Sequence, residues 1–255
     1  MTLSAIEQTA ACERTRLTLK RRLVAALVLP FWSLCGLLPV NGASALGGFT
    51  MNIVGLFVSR MRKVRANLEI ALPDLSARER NRIVRGIRRN LGRTWSELPH
   101  LAEICRPGSS RIDLQGSEHY EREIAAGRPV VFVSAHLGNW EITAGAVAHR
   151  GIPLTVVYTP NRNPLIQRRL HHYRQGLRCG LAPKQSAARS LVKALSLGES
   201  VGLLVDQRVP DGILMPFFGR PAPTTVSPAR LALKFGASTA MVLCARPPRC
   251  RTDTV

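Results

Sequence analysis

The sequence predicts an α/β fold: a mostly parallel central sheet flanked by helices, with an N-terminal apolar helical segment that anchors to a membrane. Three observations lead there. From residue 128 onward, short apolar runs alternate with helix-like stretches, the pattern of strands joined by helical crossovers. Residues 23–59 contain no charged side chain. Arginines and lysines flank that stretch on both sides.

The alternation begins at Pro129-Val130-Val131-Phe132-Val133-Ser134, a short continuous apolar run that reads as a buried strand. A helix-like stretch follows from about Trp140 to Arg150, and Leu154–Tyr158 is the next strand. Residues 164–178 and 186–197 read as helices, the first of them basic. Val201–Val205 is a third strand, Ala229–Phe235 a helix and Ala240–Cys244 a fourth strand. Upstream, Ser76 and Glu79 have the spacing of a capping box. The helix they open runs through Leu91, with Ile83, Val84, Ile87 and Leu91 as its apolar stripe and arginines on the other face. No internal repeat interrupts this order.

The uncharged segment divides in two. Leu23–Val40 holds Pro30 and Pro39, residues 41–48 read as a break, and Phe49–Val58 is apolar again. Three readings are open. One is a signal peptide, with Lys20-Arg21-Arg22 before it and Ala43-Ser44-Ala45 as a cleavage site. Another is a single span, which needs about 20 apolar residues. The third is a monotopic pair of helices that dips in and returns. Arg14, Arg16, Lys20, Arg21 and Arg22 lie before the segment; Arg60, Arg62, Lys63 and Arg65 lie after it. Basic flanks belong on the cytoplasmic side, and only the third reading keeps both there. The expected division is residues 1–62 as basic flank and anchor, 63–244 as the principal domain, and 245–255 as an irregular tail that looks truncated.

With 36 Lys and Arg against 16 Asp and Glu, the formal charge is +20. A field of that sign favours anionic partners: nucleic acid, phospholipid surfaces, acidic proteins or acidic substrates. The sequence shows no RNP block, zinc pattern or clear helix-turn-helix, so nucleic acid is not expected. Glycine fingerprints of dinucleotide and P-loop sites are absent, as is the G-x-S-x-G of serine hydrolases. The six cysteines, Cys12, Cys35, Cys105, Cys179, Cys244 and Cys250, form no CxxC pair and no zinc spacing. They read as reduced thiols of a cytosolic setting, with neither metal nor cofactor.

The segment Ser134-Ala135-His136-Leu137-Gly138-Asn139-Trp140-Glu141 carries the chemistry. A buried strand ends, delivers a histidine, turns at Gly138-Asn139 and starts a helix at a glutamate. Open α/β sheets put their ligands at such carboxyl ends. On one continuous helix, residues five apart point about 140° from each other; across a strand-turn-helix junction His136 and Glu141 can meet. A carboxylate on one imidazole nitrogen fixes the tautomer while the other nitrogen takes a proton. Asp206-Gln207, after Val201–Val205, is a second polar pair at a strand end.

This block resembles the signature of the lipid A biosynthesis acyltransferases, the lauroyl and myristoyl transferases of the wider lysophospholipid acyltransferase superfamily. Further pieces resemble the family in order. Arg65, Asn67-Leu68, Pro73 and Glu79-Arg80 come first. Gly151-Ile152-Pro153, Tyr158, Pro160-Asn161, Asn163-Pro164 and Arg174 follow. Then come Leu204-Val205-Asp206-Gln207, Gly212, Phe217-Phe218-Gly219, Thr224 or Thr225, Ala229 and Leu231-Ala232.

The resemblance implies an enzyme of the Gram-negative inner membrane, its catalytic domain facing the cytoplasm. The donor it implies is acyl-acyl carrier protein, and the acceptor is a hydroxyl of an anionic, Kdo-bearing lipid A precursor. His136 would act as general base with Glu141 orienting it, without metal or acyl-enzyme. Arg174 would bind phosphate or stabilise charge, and Asp206 would sit on the far side of the pocket. Asn139 and Gln207 would shape the pocket. The arginines between Arg162 and Arg189 suit an acidic carrier protein and a phosphorylated lipid.

Overall fold

A computed structural model describes residues 18–58 and 60–246. The basic residues Arg14 and Arg16, the cysteines Cys12 and Cys250, and most of the expected tail lie outside the described residues. The uncharged segment forms helices α1 (Leu19–Leu37) and α2 (Val40–Val54). Next come α3 (Arg60–Ala71) and the long basic α4 (Ala77–Glu97). A 3₁₀ turn at Leu98–His100 leads into α5 (Leu101–Cys105) and then α6 (Glu118–Ala125). The α/β part follows: β1 (Val130–Ser134), α7 (Glu141–Ala148), β2 (Leu154–Tyr158), α8 (Pro164–Gln175), β3 (Gly180–Pro183), α9 (Ala187–Ser196) and β4 (Ser200–Leu204). A hairpin of β5 (Ile213–Phe217) and β6 (Arg220–Thr224) precedes α10 (Ser227–Phe235) and β7 (Ser238–Met241).

Five strands pair in the order β3-β2-β4-β1-β7, all parallel, as the alternation predicts. Val130, Val131 and Val201 are fully buried, as continuous apolar strands of a two-face-covered parallel sheet must be. The capping box at α4 is present in both directions: the Ser76 hydroxyl accepts the Glu79 N–H at 3.3 Å, and Glu79 accepts the Ser76 N–H at 2.9 Å. Helices α3, α5 and α6, strand β3 and the hairpin escaped the sequence reading. Strand β3 lies just past the basic helix, which ends at Gln175 rather than at residue 178. The hairpin carries Pro216, Pro221 and Pro223, residues that argue against strands. The last strand starts two residues and ends three residues earlier than expected, at Ser238–Met241.

The break expected over residues 41–48 is helical, and the true break is at Leu38-Pro39. Proline drives the residue before it out of the helical region, and Leu38 is extended (φ −91°, ψ 153°). The small residues read as breakers instead form the buried face of α2: Ala43, Ser44, Gly47 and Gly48. A Cβ on Gly47 would collide with the Gly92 carbonyl and the Ser96 side chain of α4, and one on Gly92 with the Gly47 carbonyl. Only glycine lets these backbones approach so closely. Gly92→Val is expected to destabilise by about 1–3 kcal/mol through overpacking, read from urea melts. Gly86, in the same helix with nothing within 4 Å of an added Cβ, is the control: Gly86→Ala is expected to stabilise by about 0.4–1 kcal/mol.

Helix α1 presents two different faces. Ala25, Trp32 and Cys35 are buried, the first two in one core cluster with Leu98, Leu101, Leu170 and Leu177. Trp32 Nε1–H donates to the Trp95 carbonyl at 3.0 Å and its ring stacks on Trp95 at 5.7 Å. Leu23, Leu27, Leu34 and Leu37 face outward, as do Phe49, Ile53 and Phe57 from α2 onward. Among the described residues no helix is long and apolar enough to cross a membrane. The first two helices thus bury one side and expose large apolar side chains on the other.

Candidate active site

The sheet's register assembles the site. β1 and β4 run side by side with Ser134 opposite Leu204, and the Val205 N–H continues the ladder onto the Ser134 carbonyl at 2.9 Å. Residues two positions past those ends therefore arrive together. They are His136 and Asp206. His136 Nδ1 lies 2.7 Å from Asp206 Oδ1, and the His136 backbone N–H donates to Oδ2 at 2.8 Å. A carboxylate accepts only, so Nδ1 carries a proton, and in the neutral ring Nε2 then keeps its lone pair. The Gln207 amide nitrogen lies 3.3 Å from Nε2, consistent with donation to that lone pair. Trp140 flanks the imidazole, ring centroids 5.0 Å apart.

Glu141 stands in the first turn of α7, where a carboxylate suits the positive end of the helix dipole. The group that bonds it is Arg174 on α8. The guanidinium grips the carboxylate in two-pronged fashion, at 2.8 Å (Nε to Oε2) and 2.6 Å (to Oε1). Both side chains are largely buried, 14% and 12% exposed, and the Arg174 guanidinium lies over the Tyr158 ring. His136, Glu141, Arg174 and Gln207 all line one cavity, but in two separate pairs: His136 with Asp206, and Arg174 with Glu141. Asp206 is thus a hydrogen-bond partner of His136 rather than a group across the cavity. Asn139 is 2% exposed, so it shapes the site from behind: its amide donates to Glu97 at 2.8 Å and its oxygen accepts the Glu141 N–H at 3.2 Å.

The cavity measures about 410 Å³. Phe132, Val147, Leu154, Val156, Leu170 and Leu177 make its apolar wall; Ser134, Asn161, Lys184 and Arg208 add polar groups to those already named. Two thiols pack near it. Burial pushes Cys105 up to about 12 and Cys179 up to about 11, so both stay protonated at neutral pH and neither is a ready nucleophile. The described residues hold no group of three or more His, Cys, Asp or Glu side chains that could bind a metal.

One signal for the Asp206 contact was in the sequence. Asp206-Gln207 ends an apolar strand just as His136 nearly does. Which strand neighbours β1 decides the contact, and no local pattern states that.

A strand-end histidine at an apolar cavity, on a parallel sheet, defines a class: an α/β enzyme fold with a candidate base at its site. Sequence comparison supplies the family. Residues 12–252 match the bacterial lipid A biosynthesis acyltransferase family, and the chain belongs to it. Among curated relatives, a phosphatidylinositol mannoside acyltransferase of Mycobacterium tuberculosis H37Rv is 28% identical over 155 residues, covering 58% of this chain and 49% of that protein. Its counterpart in Mycolicibacterium smegmatis is 23% identical over 188 residues, 71% and 62% of the two chains. A lipid A biosynthesis acyltransferase of Haemophilus influenzae is 23% identical over 162 residues, 62% and 50%. The matched region spans about half the length of most of these relatives.

Proposed function

We propose that this acyltransferase moves a fatty acyl chain from acyl-acyl carrier protein to a hydroxyl of a Kdo-lipid A precursor, at the cytoplasmic face of the inner membrane. The observation that carries this reading is the His136–Asp206 pair at the mouth of an apolar cavity. His136 Nε2 takes the acceptor's hydroxyl proton as its oxygen attacks the thioester carbonyl. Asp206 holds the resulting imidazolium. Collapse of the tetrahedral intermediate breaks the C–S bond, and the imidazolium returns its proton to the departing thiolate. The Gln207 amide must yield its place on Nε2 to the acceptor hydroxyl. The apolar wall takes the acyl chain, and the basic face of α8 and its neighbours takes the acidic carrier protein and the acceptor's phosphates. Glu141 was expected to orient His136; held by Arg174, it instead fixes the cavity wall beside the base.

The test is transfer of labelled acyl groups from acyl-acyl carrier protein to Kdo-lipid A precursor in membranes. Labelled product from the wild type and none from His136→Ala is the expected result; no product with any acceptor sinks the reading. A second acceptor is favoured by the 28% identity to a phosphatidylinositol mannoside acyltransferase. Phosphatidylinositol mannoside belongs in the same assay, and preferential labelling of it would assign the second acceptor.

The outward leucines of α1 and the apolar side chains after α2 supply the membrane contact, with flanking cations near anionic headgroups adding about 1 kcal/mol each. Leu27, Leu37 and Phe57 are 76%, 84% and 86% exposed. Replacing all three by asparagine is expected to shift the protein from vesicles of anionic phospholipid to the supernatant, with no loss of melting temperature. Deleting residues 23–59 is the poorer experiment, because it also removes Trp32 from the core.

A further inference from the structure

We infer that Glu97 and Arg246 are positioning residues that hold the His136–Glu141 turn in register with Asp206. Glu97 ends α4 and is 4% exposed, a charge rarely buried so deeply without a task. Four donors meet it. Arg246 donates through two nitrogens at 2.8 and 2.7 Å, Ser44 of α2 at 2.6 Å, and the Asn139 amide at 2.8 Å. The same helix reaches the turn a second time: Asn90 Nδ2 and the Thr94 hydroxyl both donate to the Gly138 carbonyl, at 2.8 and 3.0 Å. Arg246 also donates to Asn90 Oδ1 at 2.8 Å. From the other side the Asn139 N–H meets Cys244 Sγ at 3.3 Å. Gly138 sits at φ +53° with the Cys244 carbonyl where a Cβ would stand.

Gly138 and Asn139, between His136 and the start of α7, are held by two remote segments: α4 and the strand exit after β7. Neither Glu97 nor Arg246 lines the cavity. They reach the reaction through Gly138 and Asn139, and so through where the imidazole lies against Asp206; Arg246 also donates to the Thr94 hydroxyl, at 3.5 Å. Misplacement of a base by about an ångström is enough to cost 10²-fold in rate. A buried polar network acts this way only when every member is satisfied, and removing Arg246 takes two of its four donors from the Glu97 carboxylate.

The inference rests on the proposed reaction for its kinetic readout alone, so the test has a second one. Full-length protein carrying ¹⁵N-histidine is examined by NMR for the downfield Nδ1–H resonance of His136, assigned by its disappearance in His136→Gln. In Arg246→Met the resonance is expected to weaken or broaden, and kcat for acyl transfer to fall by about tenfold or more at unchanged donor KM. Arg246→Lys, which keeps the charge, is expected to recover most of both. If Arg246→Met melts at a lower temperature yet keeps the resonance and kcat, the network is purely structural and the inference is overturned. Should that variant fail to fold, Thr94→Val, which removes one donor to the Gly138 carbonyl, is subject to the same two outcomes. If the wild type transfers nothing, the resonance still decides.

Discussion

His136→Ala is expected to slow acyl transfer by about 10²–10⁴-fold, the usual contribution of a positioned general base, with an unchanged melting temperature. The side chain is 30% exposed and its bonds are to Asp206 and Gln207 at the cavity mouth, so removing it leaves the core intact. Which carboxylate serves His136 is decided by a companion pair of variants. Asp206→Asn is expected to lose about 10²-fold or more, since it disturbs the tautomer and the charge that stabilise the imidazolium. Glu141→Gln combined with Arg174→Met removes both buried charges together and is expected to fold and to retain measurable transfer. If that double variant is as inactive as His136→Ala while Asp206→Asn keeps wild-type rate, Glu141 is the partner after all. Rates at saturating donor, beside thermal melts, make the comparison.

Arg174→Ala is expected to have the largest effect on stability. Glu141 and Arg174 are 12% and 14% exposed, and removing one member of a buried pair leaves the other charged and unpaired, at a cost of about 3–5 kcal/mol. For a protein of this size that lowers the melting temperature by about 10 °C. The double variant is expected to lose far less, because replacing both ions by groups of similar volume is often close to neutral. Calorimetric melts of the single and double variants check both statements. Equal losses in the two would mean that packing, and not the unpaired charge, sets the cost.

The strands and their helices were legible because a parallel sheet buries both faces, which leaves runs such as Val130–Val133 and Val201–Val205 in plain view. The strand-end histidine was legible for the same reason. What pairs with it was not. His136 and Asp206 stand 70 residues apart, and their contact follows from β4 lying beside β1, a fact of sheet order. The glutamate five residues on was the nearer candidate in sequence, but Arg174 at the end of α8 reaches it first. The glycines of residues 41–48 were misread because a glycine that breaks a helix and a glycine that lets two helices touch look alike until the partner helix is known. The hairpin was invisible because its prolines are poor strand formers, tolerated on strands with few neighbours. The role of Glu97 had no local signal, since its donors come from α2, from the turn and from Arg246.

The order of the strands also sets a timetable for the nascent chain. Val131 pairs with Val201 on one side and Thr239 on the other, partners that leave the ribosome long after it does. At a synthesis rate of roughly 5–20 residues per second, β1 has no complete sheet to join for about 5–20 seconds. Through that interval an apolar strand and the outward leucines of α1 stand exposed together. The topology that delivers His136 to Asp206 thus makes the growing chain a natural client for chaperones or for the bilayer itself, and yields of folded protein should rise when translation is slowed and holdases are abundant.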